Sequence, residues 1–291
     1  MTPGPNTSSE QPTGASSLEG SPLVLDAPRL VSQQAEPPIP DPEPLAIRGQ
    51  LAPNPSTAAV IVAGGEGERF GRPGGKMLME VYGKPVLTWS AEAFDICAEV
   101  GLIVIVAPED RMEEYCRTAI DRFPFVTPVV MAPAGAIRQE SSFSGISQVP
   151  DTYEFIAIHD GARPLVTADL IDHVISAVRG NPEVDGAVVG YPAIDTLKLV
   201  NGQNILGSPD RSLLWAAQTP QVFRAPIIRE AHVAALREGF VATDDSSLVE
   251  RIEGQVVLVL GPRDNIKMTV PEDLASIQAG LLLRQDSGGA F

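Results

Sequence analysis

From Thr57 onward the chain repeats one pattern: a short apolar run rich in β-branched residues, then a stretch of helix length. The runs fall at residues 58–63, 102–107, 125–131, 155–159, 185–190 and 256–260. The helix-length stretches fall at 85–97, 111–123, 139–148, 168–179, 226–238 and 271–283. Runs apolar on both faces suit strands covered on both sides, and parallel strands need a long crossover between them, usually a helix. The alternation therefore predicts an α/β fold, a doubly wound and mostly parallel sheet with right-handed crossovers. Residues 194–214 break the rhythm with two short extended pieces around Asn201-Gly202 and Gly207-Ser208, the pattern of a β-hairpin arm. The domain is expected to span 57–285, with a short C-terminal tail at 286–291. Ahead of it, 12 of the 27 prolines crowd into residues 1–56 without apolar periodicity, which predicts a disordered Pro-rich tail.

Composition narrows the functions open to such a chain. At 44% apolar and 20% charged it can bury a sizeable core. A net charge of −16 and only 5% aromatic residues argue against a nucleic-acid partner. Cations for a small anionic ligand would have to be gathered locally. Two cysteines, Cys97 and Cys116, with no CxxC or CxxH spacing, exclude a zinc cluster and suit a reducing compartment. No apolar run reaches membrane-spanning length and the N-terminus lacks a signal-peptide pattern, so a soluble cytoplasmic protein is expected.

Two motifs carry chemistry. The first strand runs into Ala63-Gly-Gly-Glu-Gly-Glu-Arg69, followed by Phe-Gly-Arg-Pro-Gly-Gly-Lys76. A glycine-rich loop at the carboxyl end of a parallel strand lets backbone N–H groups close on phosphate oxygens, and Arg69 and Lys76 add charge. It is not a Walker A loop, because no Gly-Lys-Ser/Thr follows at the required spacing. The third glycine of a dinucleotide fingerprint is replaced by Phe70. The second motif, Ile158-His-Asp-Gly-Ala-Arg-Pro164, closes another strand. There Asp160 could hold Mg²⁺ together with substrate phosphates, and Arg163 could fork onto a phosphate. His159 reads as a packed strand-end residue.

Along the chain these motifs are joined by Asp195-Thr-Leu-Lys198, Asp210-Arg211, Gln218-Thr-Pro-Gln-Val-Phe223, Thr243-Asp-Asp and Asp264-Asn-Ile-Lys267. In this order, across residues 58–283, the set closely resembles the 2-C-methyl-D-erythritol 4-phosphate cytidylyltransferase family. The resemblance implies a Rossmann-like nucleotidyltransferase fold and transfer of a cytidylyl group from CTP to a sugar-alcohol phosphate. It implies Arg69 and Lys76 as catalytic residues, and Mg²⁺ held by Asp160 with Asp264. Ala63, Gly64, Gly65 and Gly67 would line the triphosphate; Gly135, Arg138 and Ser141 would meet the base. Arg163, Thr196, Arg211 and Thr219 would bind methylerythritol phosphate, and Lys267 would bridge nucleotide and incoming phosphate. Two departures stand out: Gly75-Lys76-Met77 where the family has Pro-Lys-Gln, and Ala136 where an Asp is common.

The resemblance also implies a homodimer, with the arm at 194–214 embracing the partner. A two-stranded arm is marginal alone in water, and Leu197, Leu199, Ile205 and Leu206 offer it apolar contacts. Three alternatives stand beside this reading. A ribitol-5-phosphate cytidylyltransferase shares the framework. A dinucleotide-binding oxidoreductase would need an acidic residue closing the second strand, for which Glu109 is an imperfect candidate. A non-catalytic nucleotide-binding module fits poorly with Arg69, Lys76, Asp160 and Lys267 all being present.

Overall fold

The computed structural model describes residues 55–65 and 75–286. All of the Pro-rich segment but Pro55 and Ser56, the middle of the glycine-rich loop with Gly67 and Arg69, and residues 287–291 lie outside the described residues. Strand β1 (Thr57–Val62) leads into that loop. A small hairpin of β2 (Glu80–Val81) and β3 (Lys84–Pro85) precedes α1 (Val86–Ile96) and β4 (Val100–Ala107). Then come the short α2 (Met112–Tyr115), β5 (Val129–Pro133), α3 (Arg138–Ser147), β6 (Phe155–Asp160), α4 (Ala168–Arg179) and β7 (Gly186–Pro192). The hairpin of β8 (Leu199–Asn201) and β9 (Asn204–Gly207) leads to β10 (Trp215–Arg224), α5 (Ala225–Glu238), α6 (Ser246–Arg251), β11 (Val256–Leu260) and α7 (Asp273–Asp286).

Seven strands form one sheet in the order β11-β7-β10-β6-β1-β4-β5. All pairings are parallel except those of β10, which runs antiparallel between β6 and β7. The expected mostly parallel α/β sheet is therefore present. Side-chain alternation along β1 divides the core: Ala59 and Ile61 pack on one face with Leu87 and Phe94 of α1 and Ile171 and Val174 of α4. Val60 and Val62 pack on the other with Ile146 of α3 and Ile228 of α5. Helix ends follow local chemistry. Thr167 Oγ1 accepts from Leu170 N at the start of α4, and Gly239, with φ 63°, closes α5 in the left-handed region.

Three sequence expectations need correction. The stretch 111–123 is not one helix but α2 followed by a π-helical turn at Cys116–Ile120. The run at 125–131 pairs only from Val129, because the Asp95 carboxylate of α1 accepts the N–H groups of Val126 and Thr127 and takes them out of the ladder. Strand β10 falls where the apolar runs place no strand, and it carries Pro220, a residue that central strands disfavour. Its pairing with β7 is interrupted between Ala217 and Gln221, so the proline falls where no ladder donor is required. Among the described residues, no helix is long and apolar enough to cross a membrane.

Candidate active site

From β1 the chain steps to β4 and β5 on one side, then returns to place β6 on the other. The crevice beyond the carboxyl ends of β1 and β6 is thus the switch point where open α/β sheets bind ligands. Val62 and Asp160 are register partners there, so the glycine-rich loop leaves β1 beside Asp160. Gly64 is required by close approach: a Cβ on it would lie 2.2 Å from the Ala134 Cβ in the loop after β5. Ala63 is buried and donates its N–H to Val106 O, while a Cβ on Gly65 would meet none of the described residues.

Asp160 is the centre of charge. Arg138 Nε reaches its Oδ1 at 3.2 Å, Lys267 Nζ its Oδ2 at 3.0 Å, and Arg163 Nε the same oxygen at 3.4 Å. Burial opposes the carboxylate, but Arg138, Lys267 and Arg163 overcome it and hold the group far below the usual carboxylate range. Thr219 supports it from β10: the hydroxyl oxygen accepts from Asp160 N at 3.0 Å and lies 3.1 Å from His159 Nδ1. His159 is fully buried, and desolvation pushes its pKa down to about 3, so the ring stays neutral. It packs against Phe94, in keeping with a structural strand-end residue.

The loop after β11 closes the site from above. Met268 N donates to Ala162 O, and Arg163 donates to Asn265 O at 2.8 Å, which staples this loop to the Asp160–Arg163 turn. Lys76 is buried and donates through Nζ to Met268 O at 2.6 Å, next to Lys267. Two lysines far apart in sequence therefore meet at one loop. Asp264 sits on the same loop, exposed, and is not among the contacts of Asp160. Among the described residues no group of three His, Cys, Asp or Glu could hold a metal by itself.

The loop before α3 is knit by its own side chains. Ser141 Oγ accepts from Gly135 N at 3.1 Å and donates to Ile137 O at 3.0 Å, and Glu140 accepts from Ala136 N at 2.8 Å. Arg138 continues from Asp160 to Asp245, donating to its Oδ2 at 2.7 Å. The arm stands apart: Thr196 and Arg211 are exposed, and Arg211 donates to Ile194 O across the arm's root at 2.7 Å. Neither touches the Asp160 cluster of its own chain.

Sequence reasoning assigned no role to Gln218, Asn265, His232 or Asp245, although three of them lie in quoted motifs. Asn265 is completely buried and ties the loop after β11 to Thr219 O, with Gln218 bracing Pro262 and Asn265. His232 lies within an ordinary amphipathic helix and carried no signal.

The family model described as 2-C-methyl-D-erythritol 4-phosphate cytidylyltransferase matches residues 57–284. A protein of that name from Caldanaerobacter subterraneus is 44% identical over 233 residues, covering 79% of this chain and all of the relative. One from Bacillus licheniformis is 38% identical over 220 residues, 76% of this chain and 93% of the relative. The solved 4-diphosphocytidyl-2C-methyl-D-erythritol synthase from Anaerococcus prevotii superposes with a TM-score of 0.67 at 26% identity, covering 78% of this chain and 96% of that one. By sequence and by fold, this chain belongs to the 2-C-methyl-D-erythritol 4-phosphate cytidylyltransferase family.

Proposed function

We propose that the chain transfers the cytidylyl group of CTP to 2-C-methyl-D-erythritol 4-phosphate, a step of isoprenoid precursor synthesis. A phosphate oxygen of the alcohol bonds to the α-phosphorus of CTP while the bond to the β-phosphate breaks, giving the CDP-alcohol and pyrophosphate. A phosphate monoester is largely dianionic near neutral pH, so no general base is needed. What the reaction demands is alignment of two anions and neutralisation of a crowded transition state. The observation that carries this reading is the gathering of Arg138, Arg163 and Lys267 around Asp160 in a chain whose net charge is −16. With Lys76 anchored to the adjoining loop, the cations converge where β1 delivers a glycine-rich loop.

In this reading Lys76 and Arg69 stabilise charge on the phosphates, Lys267 bridges CTP and the incoming phosphate, and the loop from Gly135 to Ser141 receives the base. Lys267, with 38% of its side chain exposed, is the most accessible of the Asp160 partners and can turn to a ligand. Asp160 fits Mg²⁺, being an ionised hard-oxygen donor at the phosphate site, and this ion usually takes only one or two carboxylates beside phosphate and water. Bound there with Asp264, it would neutralise triphosphate charge. Arg163 and Thr219 serve the alcohol phosphate side, where the Thr219 hydroxyl acts through Asp160 and His159. Thr196 and Arg211 serve the alcohol phosphate of a partner subunit in a cytoplasmic homodimer. Turnover measured with CTP and methylerythritol phosphate, then with CTP and ribitol 5-phosphate, tests the assignment. Turnover of the ribitol substrate alone would overturn it.

A further inference from the structure

We infer that Asp245, backed by His232, is a positioning residue that keeps Arg138 at the nucleotide loop when Asp160 turns to other partners; this rests on the reading above. The guanidinium of Arg138 is divided between two carboxylates. Its Nε lies 3.2 Å from Asp160, a long contact, whereas its NH1 lies 2.7 Å from Asp245, the length of a strong charge-assisted bond. The two carboxylates differ in what else holds them. Asp160 has Lys267 and Arg163 beside it, so it can give up Arg138 and stay compensated. Asp245 is 1% exposed, and its only other side-chain partner among the described residues is the His232 ring, whose Nε2 lies 3.2 Å from Oδ1. Losing Arg138 would leave that carboxylate buried and poorly matched, a strongly unfavourable state. The retaining contact is therefore the one to Asp245.

The frame around Asp245 is built for this. Asp244 accepts from Gln221 Nε2 of β10 at 2.9 Å and from Ser247 N of α6 at 3.2 Å, which fixes the backbone next to Asp245. Gln139, the neighbour of Arg138, donates to Phe240 O and accepts from Ala242 N, zipping the first turn of α3 to the same segment. The His232 ring stacks on Phe143 of α3 with centroids 5.5 Å apart and 11° between planes. Helix α5 thereby aims a ring at the carboxylate that aims the arginine.

The test has a ligand-free arm and a kinetic arm. In ¹⁵N-labelled protein without ligand, the Arg138 Nη1–H signal, the group that faces Asp245 and is identified by its loss in Arg138→Lys, should be slow to exchange. It should survive in Asp160→Asn and broaden away in Asp245→Asn. In turnover, Asp245→Asn should raise KM for CTP about tenfold, the scale of one buried charge-assisted bond, with saturated kcat and the alcohol-phosphate KM nearly unchanged. In an Arg138→Lys background the same change should add less than about twofold, because the two residues act as one unit. His232→Phe should raise KM for CTP severalfold and His232→Gln, which keeps a donor near the Nε2 position, should restore it; this pair decides the matter even if Asp245→Asn fails to fold. An unchanged KM for CTP in Asp245→Asn, full additivity with Arg138→Lys, or no rescue by Gln would overturn the inference. If the wild-type protein did not turn over CTP, the functional reading would fail, while the ligand-free signal would still decide whether Asp245 holds Arg138.

Discussion

At the scale of single residues, the site rests on gathering cations so closely that one buried carboxylate must offset their mutual repulsion. Lys76 shows how tightly this is built: a lysine only 7% exposed, its amine directed at the carbonyl beside Lys267. If that amine meets the transition state, Lys76→Ala should lower kcat by about two to three orders of magnitude, the scale of one lost electrostatic stabiliser. The melting temperature should fall modestly, since a buried amine that donates to Met268 O is removed, but the variant should still fold. Near-normal turnover in a folded variant would remove Lys76 from the mechanism. Asp160→Asn should shift the Mg²⁺ concentration for half-maximal rate upward, and full activity in excess chelator would show that no divalent ion is needed. Much of this was legible in the sequence, because Asp160, Arg163 and Lys76 each stand in a short pattern at a strand end. The partner of Arg138 was not legible, since Asp245 lies 107 residues away and only packing brings the two together.

At the scale of elements, α3 couples the core to the nucleotide loop. Gly145 lets it lie directly on the sheet: a Cβ there would sit 2.4 Å from Val60 Cγ1 and 2.7 Å from Val106 Cγ2. Gly145→Ala must lift the helix or displace those valines, so it should cost about 1–3 kcal/mol of stability. Because α3 begins at Arg138, the variant should also raise KM for CTP more than KM for the alcohol phosphate. Denaturant unfolding beside steady-state kinetics would check both, and a variant of wild-type stability would mean the helix can ride higher without penalty. Helix α4 was readable from its apolar spacing, and β6 from its uninterrupted apolar run. Strand β10 was not, because its proline contradicts a local rule that the interrupted pairing satisfies from outside the segment.

At the scale of the whole molecule, the arm is an exposed apolar hairpin set off from the main sheet. Among the described residues its strands pair only with each other, and Leu199, Val200, Ile205, Leu206 and Leu213 are all more than half exposed. A contiguous apolar surface of this kind marks an interaction site, and it predicts a partner subunit. Sedimentation should therefore give a dimer, and Arg211→Ala should weaken alcohol-phosphate binding while sparing CTP. At an alcohol-phosphate concentration too low for Arg211→Ala to turn over, mixing equal amounts of Lys76→Ala and Arg211→Ala subunits gives the sharper result. If arms act across the interface, half the dimers are mixed and each has one intact site, so about one quarter of wild-type activity should return. Shown heterodimers with no activity would place Arg211 in its own subunit's site.

The sequence by itself determined the strand-and-helix alternation, the strand ends that carry glycine, aspartate and lysine, and the family to which those motifs point. These are properties of contiguous residues: apolar periodicity, turn chemistry and spacing act within a dozen positions. The tertiary structure alone decided that β10 enters the sheet against the parallel grain. It alone stapled the loop after β11 to the Asp160–Arg163 turn, and shared Arg138 between Asp160 and Asp245. Those outcomes depend on which buried charges and unpaired backbone groups must find partners, and that demand can be met from any distance along the chain.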